Sequence, residues 1–95
     1  MKALAFTIAA TVDLEEIWDY TEGKWGIAQA RRYVQALRDT CHALASGERH
    51  GGTVDIRPGY LKCRSGAHAI YFRDLGDTLE IVRILHGAQD VSRHL

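Results

Sequence analysis

Apolar and polar positions follow a helical rhythm over the first half of the chain, behind one short apolar run, and change to alternation after residue 57. Ala3 to Ile8 is that short run, and its length, with Phe6, Thr7 and Ile8 in it, suits a strand better than a helix. Thr11 can then cap a helix whose first turn holds Asp13, Glu15 and Glu16, where carboxylates suit the positive end of the helix dipole. Leu14, Ile17, Trp18, Thr21 and Trp25 follow at spacings of three and four and make one apolar stripe. Gly23 and Gly26 are the stop signals. A second helix is predicted from Ile27 to Ala45, with Ile27, Ala30, Val34, Leu37, Cys41 and Leu44 on one face and Arg31, Arg32, Gln35, Arg38 and Asp39 mostly on the other. The tight glycine connection folds the two into an antiparallel helical hairpin.

Ser46 to Asp55 is a polar, glycine-rich loop, expected to be a solvated connector. From Arg57 to His86 there are three β-type runs separated by two turn-type interruptions, one of them Asp74-Leu75-Gly76-Asp77. His68, Ile70 and Phe72 alternate with Ala69, Tyr71 and Arg73, and Glu80, Val82, Ile84 and His86 with Leu79, Ile81, Arg83 and Leu85. Neither face of the last run is wholly polar, as expected of a central strand. The order strand, helix, helix, three strands predicts an α+β domain, with the helical hairpin on one face of an antiparallel three-stranded meander, the first strand added as a fourth, and the other face partly open.

Ninety-five residues make one domain, spanning 1–95, with no room for a second core. Twelve Lys and Arg balance twelve Asp and Glu, which argues against bulk electrostatic binding to nucleic acid or to an anionic membrane. Cys41 and Cys63 have no metal-ligand or disulfide spacing and are expected to be buried free thiols. No metal site and no cofactor are indicated. The apolar start is too short for a secretory signal and runs into acidic residues, so a cytoplasmic location is expected.

Charge is uneven within this balance. Arg57, Lys62, Arg64 and Arg73 lie in a stretch, Arg57 to Arg73, that has no carboxylate, so the first hairpin presents a basic strip. Arg83 sits among apolar neighbours and needs a partner, either a ligand or a carboxylate such as Asp13, Glu16 or Glu80. Lys62, Arg64, Arg73 and Arg83 are therefore the candidate binding cations. Trp18 and Trp25, seven apart on the first helix, and Tyr33 on the second are candidate aromatic contacts for a partner, the competing role being core packing.

The run Asp13-Leu14-Glu15-Glu16-Ile17-Trp18-Asp19-Tyr20 with Trp25-Gly26, then Arg57-Pro58-Gly59-Tyr60, Ser65 to Arg73, and Ile81-Val82-Arg83-Ile84-Leu85-His86-Gly87, resembles the ParE toxins of bacterial toxin-antitoxin modules, within the RelE/ParE superfamily. The likeness covers nearly the whole chain in order, including the tail Ser92-Arg93-His94-Leu95. It implies the same fold and the role of toxin in a type II toxin-antitoxin system. It further implies inhibition of DNA gyrase without a catalytic cycle, and neutralisation by a ParD-like antitoxin whose C-terminal segment folds against the toxin. Direct sequence-specific nucleic-acid binding is not expected. The superfamily also contains RelE-like enzymes that cut mRNA on the ribosome, and a non-toxic member that only binds its antitoxin is a third alternative. A metal-independent ribonuclease needs a base, an acid and cations around the phosphorane. His86 is the one candidate acid here. The place early in the preceding strand where such enzymes carry an Arg holds His68, and a loop carboxylate base would have to be Asp55 or Glu48. These residues favour the gyrase-directed role.

Overall fold

A computed structural model describes residues 1–95. Strand β1 (Ala3–Phe6) leads into helix α1 (Ile8–Trp25), helix α2 (Ile27–Ser46), a two-residue strand β2 (Gly52–Thr53), and the meander β3 (Leu61–Ser65), β4 (His68–Asp74) and β5 (Thr78–His86), followed by a short 3-10 turn at Val91–Arg93. The sheet order is β1-β5-β4-β3-β2, with β1 parallel to β5 and the other pairs antiparallel. This is the expected α+β architecture, with β2 added inside the long loop.

The strand-to-helix junction differs from expectation. Thr7, not Thr11, caps α1: its Oγ1 accepts the Ala10 N–H at 3.0 Å and donates to the Val82 carbonyl at 2.7 Å. Ile8, read as the end of the strand, is helical and exposed. Asp13, Glu15 and Glu16 consequently lie beyond the first turn, and the expected dipole complementarity there is absent. Gly23 does not stop the helix. Gly26 does, at φ +92°, a backbone conformation that glycine adopts without steric cost.

The core lies between the hairpin and the sheet. Leu14, Ile17, Val34, Leu37, Cys41 and Leu44 from the helices meet Cys63, Ile70, Phe72, Leu79, Ile81 and Ile84 from the strands. Cys41 and Cys63 are both free and buried, and burial pushes the Cys41 thiol up to about 12. Ile27, expected on the buried face of α2, is 52% exposed at the hairpin tip, one residue after the break and clear of the sheet.

The alternation expected for β5 is interrupted. Tyr71 pairs with Arg83 while Phe72 pairs with Ile81, so Val82 is an extra residue on β5. A bulge of this kind resets the two-residue period. Leu79 and Ile81 before it and Ile84 after it all join the helix-side core, and Leu85 turns to the other face. The mixed polarity of this strand reflects that phase change. The outer face is also less open than expected, because Val54, Val91 and Leu95 fold over Ala69, Tyr71 and Leu85.

Candidate functional site

Past Phe6 the chain leaves the sheet to begin α1, so β5 loses its neighbour from Val82 onward. Asp13, on the second turn of α1, occupies that vacated edge. Its Oδ2 accepts the Ile84 N–H at 2.9 Å, as a β ladder would have done. The Arg83 guanidinium closes on the same carboxylate, Nε to Oδ2 and Nη2 to Oδ1, each at 2.8 Å. Hydrogen bonding to Asp13 raises the Arg83 pKa, against the opposing effect of burial. Of the three carboxylates open as partners for Arg83, Asp13 is the one that binds it. Arg83 also lies 3.5 Å from His94 Nδ1, which brings the tail to this pair.

Arg73 has a carboxylate of its own. Glu80, directly opposite on β5, accepts from Arg73 Nε at 3.0 Å and from Nη2 at 2.7 Å, and these bonds raise the Arg73 pKa. Two of the four candidate cations are thus held by internal ion pairs. Lys62 and Arg64 are exposed, and they stand opposite Tyr71 and Ala69, which places them on the outer, tail-covered face of the sheet. Arg57 and Arg73 both lie over the Tyr60 ring, at 5.2 and 5.7 Å from its centroid, and Arg57 also donates to the Leu95 carbonyl at 2.7 Å. The basic strip is real, and it belongs to this outer face.

His86 is on the other side. It pairs with His68, the two rings meeting edge to face at 5.3 Å. His68 Nδ1 lies 2.6 Å from the Tyr33 hydroxyl, which also accepts the Ala67 N–H at 3.0 Å. Burial lowers the His68 pKa, and the neighbouring His86 adds to the effect. His86 Nδ1 accepts the Ala88 N–H at 3.1 Å, which leaves Nε2 to carry the ring proton. Tyr33, a candidate partner contact, supports this histidine pair, a role with no signal in local sequence because Tyr33 and His68 are 35 residues apart.

The aromatic residues of the hairpin separate. Trp18 is half-buried against the core, donates Nε1 to Glu22 at 3.1 Å, and lines a groove of about 370 Å³ between α1 and α2 with Thr11, Leu14, Asp19, Val34 and Arg38. Trp25 is 65% exposed at the hairpin tip, where Lys24 Nζ lies 5.6 Å from the centroids of both Trp25 and Tyr20. No group of three or more His, Cys, Asp or Glu is placed to hold a metal ion. No helix is long and apolar enough to cross a membrane.

A family model described as the ParE toxin of the type II toxin-antitoxin system parDE matches residues 4–91. The chain belongs to the ParE toxin family. It is 43% identical over 89 residues to Toxin ParE1 of Mycobacterium tuberculosis (strain ATCC 25618 / H37Rv), covering 92% of this chain and 91% of that one. It is 35% identical to Toxin ParE1 of Caulobacter vibrioides, covering 100% and 99% of the two chains. Among solved structures, a chain of the chromosomal ParDE system from P. aeruginosa superposes with a TM-score of 0.80 at 24% identity, over 90% of this chain and 96% of that one, which shows the fold. This ParE-family toxin of a type II system presents an inter-helical groove lined by Trp18 and an outer sheet face with exposed Lys62 and Arg64.

Proposed function

We propose that this ParE-family toxin inhibits DNA gyrase in the cytoplasm and is neutralised by a ParD-like antitoxin whose C-terminal segment lies in the Trp18 groove. Support comes from how few of the candidate cations are free to converge on His86. Side chains on a strand alternate between faces. A phosphorane seated at His86 would have Lys62 on the far side of the sheet, Arg73 and Arg83 already carry carboxylates, and of the four candidate cations only Arg64, whose guanidinium lies 3.9 Å from where a Gly87 Cβ would sit, extends toward it. A ribonuclease needs acid, base and cations converging on one phosphate. Binding asks less: an apolar groove with a tryptophan anchor, and exposed cations for an acidic surface. In this proposal Lys62 and Arg64 contact the target or the antitoxin, Arg73 and Arg83 shape the surface, and Trp18 anchors the antitoxin segment.

The test is a gyrase supercoiling assay run beside cleavage of ribosome-bound mRNA. Inhibition of supercoiling that one equivalent of antitoxin relieves, and that Lys62→Glu with Arg64→Glu weakens, is the expected result. Ribosome-dependent cleavage that is lost in His86→Ala would instead assign the chain to the RelE-like class. Antitoxin binding with neither activity would make it a non-toxic member.

A further inference from the structure

A second cavity, of about 370 Å³, opens on the opposite side of α1 from the Trp18 groove, between that helix and the His68–His86 corner of the sheet. We propose that it receives an arginine side chain of a partner protein. The proposal is independent of the gyrase assignment, since it concerns only what the cavity recognises.

Sign of charge comes first. Two carboxylates line the cavity, Asp13 and Glu16, and Arg83 neutralises one of them. Asp13 is spent, both its oxygens being occupied by Arg83 and by the Ile84 N–H. Glu16 is exposed and has neither an ion-pair nor a hydrogen-bond partner among the side chains around it. Burial disposes the His68 imidazole to stay neutral, and His86 Nδ1 accepts the Ala88 N–H. The cavity therefore has one uncompensated negative charge and takes a cation.

Shape and lining then separate arginine from lysine. Ile17 and Ile84 supply apolar lining suited to a methylene stem, and three rings, Tyr20, His68 and His86, also line the cavity. A planar, weakly hydrated guanidinium stacks on aromatic faces and forks onto a carboxylate, whereas an ammonium keeps its water and does neither as well. Tyr20 is 66% exposed at the mouth of the cavity, with Lys24 Nζ 5.6 Å from its ring centroid.

The experiment is NMR titration of the full chain, following the His68 and His86 imidazole resonances, with N-acetyl-arginine amide as the probe and the corresponding lysine, leucine and glutamate amides as comparisons. A saturable shift with arginine is expected, together with clearly weaker binding of lysine and no saturable response to leucine or glutamate. Glu16→Gln should weaken arginine binding about tenfold or more, the scale of a lost charge-assisted hydrogen bond. Tyr20→Leu should weaken it by a smaller factor while leaving the charge in place. Absence of saturation with arginine, equal binding of lysine or glutamate, or an unchanged affinity in Glu16→Gln would each overturn the proposal.

Discussion

Arg83 on β5 and Asp13 on α1 are joined by two 2.8 Å hydrogen bonds across 70 residues of sequence, and the carboxylate that makes them also completes the backbone hydrogen bonding of Ile84. One residue thus ends the sheet, fixes α1 over it and neutralises a cation. The side chains are 20% and 8% exposed, so the pair behaves as a mostly buried one. Breaking it leaves a charge without its partner. Arg83→Ala and Asp13→Ala are each expected to cost about 3 kcal/mol, a fall of roughly 12 °C or more in Tm. A double-mutant cycle should show strong coupling, because each single change already loses the shared interaction. Additive effects would mean that the two residues act separately.

The corresponding pair on the neighbouring strand has the opposite forecast. Arg73 and Glu80 form a close ion pair, but Arg73 is solvent-facing, and water and salt screen such contacts. Arg73→Ala should leave Tm within about 2 °C of the parent. Thermal melts of Arg73→Ala beside Arg83→Ala test the contrast directly, and equal losses would refute it.

Gly51 is a packing requirement rather than a loop ornament. A Cβ placed there would come within 2.5 Å of the Phe72 ring and 2.8 Å of the Lys62 carbonyl. Phe72 is buried in the main core, so its ring has little freedom to retreat. Gly51→Ala should destabilise by about 1–3 kcal/mol, the usual cost of overpacking, measurable by urea denaturation. By comparison Gly52→Ala, whose Cβ would meet nothing within 4 Å, should be close to neutral.

The histidine pair predicts a pH dependence of stability. The folded pKa of His68 is lowered from 6.5, first by burial and then by the charge of His86, with Asp13 opposing. Above 6.5 the ring is neutral in both folded and unfolded chains and contributes nothing to the dependence. As pH falls below 6.5 the unfolded chain takes up the proton first, so stability decreases until the folded pKa is passed. His68→Gln should flatten this part of the Tm-versus-pH curve. An unchanged slope in that variant, or an imidazole that titrates at or above 6.5 by NMR, would contradict the assignment.

Trp18 and Trp25 should differ in antitoxin binding. Trp18 lines the inter-helical groove and is anchored through Glu22, whereas Trp25 projects from the hairpin tip. Trp18→Ala is expected to weaken binding of the antitoxin segment about thirtyfold or more, the range of an interface hot spot. Trp25→Ala should change it less than about threefold. Calorimetric titration of both variants decides between groove and tip.

The order of elements was legible in the chain because it depends on periods of two and about four residues, which local composition reveals. Leu14, Ile17, Val34, Leu37 and Cys41 are buried where the helical stripes place them, and Ile70 and Phe72 where alternation places them. The basic strip at Lys62 and Arg64 was equally visible, since it is a run of charge in sequence. Three features were decided only by the assembled structure. The bulge at Val82 shifts the phase of β5, and a phase shift looks in sequence like a strand with no polar face. The cap at Thr7 depends on the Val82 carbonyl reaching it from β5. Asp13 was one of three carboxylates that could have met Arg83, and it prevailed because β1 ends at Phe6 and leaves the Ile84 N–H without a strand to bond. The short periodicities are written in neighbouring residues, whereas the choice among partners 70 positions apart is made by which backbone groups the fold leaves unsatisfied.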